Sequence, residues 1–289
     1  MEVKTPVFIV GTGRCGTTIF HRALSYHPQV TWLSPWCLKY PRRPELNRLA
    51  MRLIDLPLVS RYVRKVIYTG EYYPFWERYC RGFSEPCRDL VSDDVTIPVK
   101  RAVRKVMGEL LSPQRARLLI KITGWPRIGF LKEIFPDAKF IHIYRDGRSV
   151  ANSWLQMWWW SGWGGPDKWR WGELTPEQRQ RWERAGRSFN VLAALGWEIL
   201  MTAFEAAKCK LPADDLLEIR YEDLCRNPID LFHAATNFAE LEWTPQFEAA
   251  VKRFKLESAN DKWLHDLTFS QQRLLNDSIG ETLQKYGYA

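Results

Sequence analysis

Three short apolar runs stand out along the chain, each closed by glycine, proline or charge. VFIV (Val7–Val10) leads into GTGRCGTT, LLIKI (Leu118–Ile122) into TGWP, and KFIHIY (Lys139–Tyr144) into RDG. Short apolar runs bounded by turn signals predict buried strands. A fourth run, LLEIR (Leu216–Arg220), precedes YEDL. Between these runs the pattern predicts a helix from Gly16 to Tyr26, stopped by His27-Pro28, and mostly helical chain from Arg42 to Lys105. Helices are also expected over Ile128–Phe135, closed by Pro136-Asp137, and over Arg148–Met157. Thr175-Pro176-Glu177-Gln178 reads as the capped start of a long helix through Lys208. The chain after Arg220 reads as helical. Strands alternating with helices predict an α/β fold, a central parallel sheet flanked by helices. With no repeat, low-complexity tract or linker, one domain over residues 1–289 is expected, carrying helical and tryptophan-rich insertions.

Composition changes this picture little. Apolar residues make up 46% and charged residues 26%, ordinary for a globular protein. No apolar run reaches the roughly 18 to 20 residues of a membrane span, so none is expected. The N-terminus lacks a basic stretch followed by a long apolar one, so no signal peptide is expected and the location expected is cytoplasmic. Six scattered cysteines (Cys15, Cys37, Cys80, Cys87, Cys209, Cys225) form no C-x-x-C and no zinc-spaced cluster. They read as reduced structural thiols, with Cys80 and Cys87 the one conceivable pair, and no metal is expected. The net charge of +9 points to an anionic partner. Seven of the fifteen tryptophans fall between Trp154 and Trp171. They read either as packing for an insertion or as a platform of flat indole faces, hinged by glycines, for an acceptor molecule.

The candidate chemistry lies in VFIVGTGRCGTTIF, Val7–Phe20, which satisfies two phosphate-loop patterns and completes neither. Gly11, Gly13 and Gly16 spell G-x-G-x-x-G, but the stretch about 20 residues on, QVTWLSPWCLKY, has no acid to grip a ribose. Gly11, Gly16 and Thr18 fit G-x-x-x-x-G-K-[ST], with Thr17 in place of the lysine and Asp146 the obvious strand-end acid for magnesium. A third arrangement moves the cation into the loop as Arg14. Arg14, the backbone donors from Cys15 to Thr18 and two hydroxyls then suit a group with one sulfuryl and one phosphoryl centre.

Arg14-Cys15-Gly16-Thr17-Thr18 after a short strand resembles the [RK]-x-G-T-[TS] loop of the sulfotransferases that use 3′-phosphoadenosine-5′-phosphosulfate (PAPS). The resemblance spans Val7 to Tyr288 and is nearest to bacterial members related to the protein-tyrosine sulfotransferases, as KFIHIYRDGR after FPDA and the terminal KYGY suggest. It implies a P-loop-like sulfotransferase fold and a cofactor site at Gly13, Arg14, Cys15, Gly16, Thr17 and Thr18. Arg145 and Ser153, eight residues apart, match the pair that holds the 3′-phosphate, where a planar guanidinium suits bidentate contact. Tyr221 of Y-E-D-L would lie by the adenine, with Glu222 and Asp223 structural. Lys262 of NDKW would reach a phosphate, although the R-K-G-x-x-G segment of the small-molecule branch is missing.

The implied reaction is in-line transfer of a sulfuryl group to a hydroxyl or amine, without metal, through a loose, charge-spread transition state. Arg14 and Lys121 would neutralise charge there. The protein-tyrosine branch carries its base, a glutamate, about 21 residues after the loop arginine; here that position is Pro35. The replacement candidates are Glu71 first, beside the aromatic residues of GEYYPFW, then Asp94 and His21. His142, alternating with apolar neighbours, reads as core. The expected partners are PAPS and an acceptor, a saccharide first, otherwise a small molecule or peptide, and no nucleic acid. Two alternatives stay open: a P-loop kinase or nucleotidase with a degenerate loop, and a non-catalytic anion-binding homologue.

Overall fold

The computed structural model describes residues 1–56, 59–84 and 87–288. Five strands form one parallel sheet: β1 (Val7–Gly11), β2 (Val30–Thr31), β3 (Arg117–Thr123), β4 (Lys139–Tyr144) and β5 (Leu216–Arg220), in the order β2-β3-β1-β4-β5. The four expected strands are present. β2 was not legible, because two residues carry no periodicity. Both faces of the sheet are covered, which is why β1 reads as an unbroken apolar run rather than an alternating one. Phe8, Val10, Ile120 and Phe140 face one cluster, with Phe135 and Phe204. Val7, Ile9, Leu119 and Ile141 face the other, where Phe20 of α1 (Thr17–Leu24) stacks on Phe232 at 4.7 Å.

The helical expectations need three corrections. Arg42–Lys105 breaks into separate helices, Leu46–Asp55, Ser60–Val66 and Tyr73–Tyr79, before the start of Ile97–Leu110; positions 57–58 and 85–86 lie outside the described residues. The first break follows from Leu56, which precedes Pro57 and is extended at φ −72°, ψ 115°. The long helix from Thr175 to Lys208 is two helices, Pro176–Arg184 and Phe189–Lys208. Its capping box at Thr175 and Gln178 forms, but Gly186 and Arg187 both take left-handed φ (64° and 58°) and end the first helix. That second helix, at 20 residues and mean hydropathy 1.2, is long and apolar enough to cross a membrane, although the sequence pattern suggested no such run. It packs against the helices Gly147–Leu155 and Phe269–Lys285 and centres a third core with Trp154, Trp171 and Trp197, so its apolar surface is spent inside the protein. All six cysteines are unpaired.

The chain leaves β1 for β2 and β3 on one side, then crosses to β4 and β5 on the other. A crevice therefore opens beyond the carboxyl end of β1, where connections part in opposite directions and α/β sheets take up ligands.

Candidate active site

The loop after β1 fills that crevice. Gly13, Arg14 and Gly16 hold left-handed φ of 82°, 58° and 88°, which curls the backbone before α1 begins at Thr17. Successive turns of this kind aim amide N–H groups at one point and make an anion cradle. Gly16 is required twice over: besides its φ, a Cβ there would stand 2.4 Å from the Tyr221 ring. Tyr221, at the start of the helix after β5, is thus packed on the loop, and the Arg145 guanidinium lies 4.5 Å from its ring centre.

Arg145 follows β4 and is buried. Its fork is held by uncharged acceptors: Nε donates to Asn260 Oδ1 at 3.1 Å, Nη1 to the Arg14 carbonyl at 3.1 Å and Nη2 to the Ala259 carbonyl at 2.7 Å. Arg14 Nε donates to Ser153 Oγ at 2.8 Å. So the Arg14 side chain reaches the Arg145 side of the loop, and the helix from Gly147 carries Ser153 towards it rather than away. Neither arginine has a carboxylate ion-pair partner among the described residues. A buried guanidinium without a counter-charge is a costly arrangement that an anionic ligand relieves. Asp146, the acid a magnesium site would use, is spent: both its oxygens accept from Arg148, at 2.8 to 3.2 Å, and it caps its helix.

The other side of the loop faces β3. Lys121 is buried and donates Nζ to Thr18 Oγ1 at 2.9 Å and to Glu71 Oε1 at 2.8 Å. Glu71 Oε1 also accepts from Thr123 Oγ1 at 2.8 Å. Lys121 and Thr123 are two apart on one strand and so share a face, which brings both to the same carboxylate. The Tyr73 hydroxyl donates to the Thr123 carbonyl.

A cavity of about 770 Å³ joins most of these groups, although Ser153 and Lys121 are not among the residues that line it. Thr12 to Arg14, Gly16 to Thr18, Arg145, Tyr221 and Ala259 line one part of it; Glu71, Tyr73, Trp125, Arg127 and three residues of the tryptophan segment, Trp158, Trp159 and Trp171, line the rest. The tryptophan segment divides between core and cavity wall. Trp154, stacked on Trp171 at 4.7 Å, and Trp160 and Trp169 are core, whereas Trp158 is 92% exposed at the cavity.

Not every candidate comes to the cavity. Cys15 turns its thiol into the core, where burial raises its pKa. Lys262 is exposed on the first turn of the helix Lys262–Asp266 and is not among the lining residues. Asp94 pairs with Arg88 at 2.7 Å and caps its own turn, away from the cavity. His21 is fully enclosed, and desolvation with the nearby Lys121 ammonium lowers its pKa to about 3. His142 is core, stacked on Phe204 at 4.2 Å. Thr123, Tyr73, Arg127 and Asn260 were missed from sequence; the only signal was the position of Thr123 at the end of an apolar strand.

A model described as the sulfotransferase family matches residues 6–245. No curated protein matches the sequence. Solved structures similar to this chain include sulfotransferase STF9 from Mycobacterium avium, 17% identical over 100% of this chain and 78% of that one, with a TM-score of 0.61. STF1 from Mycobacterium tuberculosis H37Rv is 16% identical over 96% of this chain and 76% of that one, with a TM-score of 0.54. A sulfotransferase domain from the curacin biosynthetic pathway is 13% identical over 96% and 98%, with a TM-score of 0.53. At such identities these likenesses concern the fold alone.

Proposed function

The chain belongs to the sulfotransferase family, and on that premise we propose that, as one domain over residues 1–289, it moves the sulfuryl group of PAPS to a hydroxyl or amine of an acceptor, with a saccharide as the acceptor class. The observation that carries this reading is the pair of cationic stations, Arg14 in the loop and Arg145 beside it, both lining one cavity and neither with a carboxylate partner among the described residues. PAPS carries anionic groups at its 5′ and 3′ positions, whereas ATP carries them at the 5′ position alone. In the proposed assignment, Gly13 to Thr18 hold the 5′-phosphosulfate, Arg145 with Ser153 holds the 3′-phosphate, and Tyr221 lies by the adenine. Arg14 and Lys121 offset charge as the bridging S–O bond breaks. Glu71, next to Lys121 and on the cavity wall, is the general base. Lys262 keeps the role of an outer phosphate contact for the solvent edge of the nucleotide. The exposed indole of Trp158 and the faces of Trp159 and Trp171 suit a sugar ring. The location that goes with this reading is cytoplasmic.

The test is calorimetric titration with adenosine 3′,5′-bisphosphate, ATP and adenosine 5′-phosphate. Binding that needs the 3′-phosphate, and that weakens about a hundredfold in Arg145→Ala as a charge-assisted fork is lost, supports the two-anion site. Equal binding of ATP, indifferent to Arg145, overturns it in favour of a kinase or nucleotidase loop.

A further inference from the structure

Glu71 does not meet the phosphate loop directly. Between them stands a hydroxyl: Thr123 Oγ1 donates to Glu71 Oε1 at 2.8 Å, and Thr123 itself lines the cavity. On its other side Thr123 borders the loop, since a Cβ built on Gly13 would lie 3.8 Å from Oγ1. Three ties fix it there. Thr123 is in register with Gly11, Gly124 N donates to the Gly11 carbonyl at 2.9 Å, and the Tyr73 hydroxyl donates to the Thr123 carbonyl. Glu71 Oε1 is already shared by two donors, Lys121 and Thr123. Thr123 Oγ1 therefore stands between that oxygen and the loop.

We infer that Thr123 is a catalytic residue that takes the acceptor's proton and hands its own to Glu71, an inference that rests on the sulfuryl-transfer reading above. A hydroxyl suits this because it accepts on a lone pair while it donates its hydrogen. The step balances. The acceptor oxygen forms a bond to sulfur as its O–H bond breaks. The bridging S–O bond breaks, and its electron pair stays with the 5′-phosphate of adenosine 3′,5′-bisphosphate. The acceptor's proton moves to Thr123 Oγ1, the Thr123 proton moves to Glu71 Oε1, and Glu71 returns it to solvent through the open cavity.

Thr123→Val and Thr123→Ser test this beside wild type. PAPS cleavage is followed as release of adenosine 3′,5′-bisphosphate, with water taking the acceptor's place, and binding of adenosine 3′,5′-bisphosphate is measured by calorimetry. The expected result is unchanged binding in all three, cleavage lowered on the order of a hundredfold in Thr123→Val as acid–base catalysis is lost, and near-full rescue in Thr123→Ser. Rates in mixed light and heavy water add a readout that a structural role would not move. They bend for wild type, where two protons travel together, and run straight for Thr123→Val. Cleavage by Thr123→Val at the wild-type rate overturns the relay, since the proton then goes straight to Glu71. Loss of binding in Thr123→Val overturns it too, because the hydroxyl then serves the nucleotide. Wild type that binds adenosine 3′,5′-bisphosphate without cleaving PAPS overturns the relay along with catalysis, whereas wild type that does not bind it fails the functional reading itself.

Discussion

His21 shows how a residue type can mislead where its position does not. A histidine one turn beyond the phosphate loop invites a role in proton transfer, but its ring has no side-chain hydrogen-bond partner among the described residues and its surroundings exclude water. Folded, it titrates near about 3 against 6.5 when free. As pH falls below about 6.5 the unfolded chain gains a proton that the folded chain refuses. Stability is therefore lost towards about pH 3, by at most about 1.4 kcal/mol per pH unit from this group. Asp89, whose carboxyl burial raises to about 6, acts in the opposite sense between 3.8 and about 6. His21→Leu leaves no polar atom stranded. It is expected to melt at or above the wild-type temperature at neutral pH and to flatten the melting temperature against pH between about 6.5 and 3. An unchanged slope in that window would place the acid sensitivity elsewhere. Arg14, Gly16 and Thr17 were legible because one short loop holds them within four positions. Glu71 and Thr123 lie 52 residues apart, so their hydrogen bond exists only in the fold.

Among the elements, the tryptophan segment divides between packing and contact. Trp154 is fully buried against Trp171, and neighbouring glycines are small to admit the indoles: a Cβ on Gly147 would come 2.5 Å from Trp197, and one on Gly196 3.0 Å from Trp154. Trp154→Ala is expected to cost about 3 to 5 kcal/mol, read by denaturant unfolding, from the lost indole and the void it leaves. Trp158→Ala is expected to change stability by under about 0.5 kcal/mol. Its effect belongs in the acceptor KM, with nucleotide binding unchanged. A destabilised Trp158→Ala protein would mean that this indole packs in solution. The same segment marks a limit of pattern reading: apolar composition announces burial without saying which ring of a cluster is left outside. The break at Gly186-Arg187 escaped for a related reason, since the capping signal at Thr175 and the apolar run of Phe189–Lys208 both read as helix and only the backbone at two residues separates them.

For the molecule as a whole, the alternation of strands and helices was enough to place the loop at the carboxyl edge of a parallel sheet. The strand order, which puts β1 between β3 and β4, could not be read from it. That order brings Lys121 and Arg145 to opposite flanks of one loop. Arg145 is further held by the segment around Asn260, which Ser149 also ties down through Oγ at 2.5 Å from the Asn260 carbonyl. Lys121 touches Thr18 of the phosphate loop and Glu71 of the cavity wall with one ammonium group. A group shared in this way makes the two halves of the cavity take turns. On the sulfuryl-transfer reading proposed above, an arriving phosphosulfate would compete for Lys121 and free Glu71, and the expected order is nucleotide first on and last off. In steady-state terms, adenosine 3′,5′-bisphosphate should compete with PAPS and not with the acceptor, and excess acceptor should trap the enzyme before the product nucleotide escapes. Lys121→Ala, by uncoupling the halves, should turn that compulsory sequence into a random one.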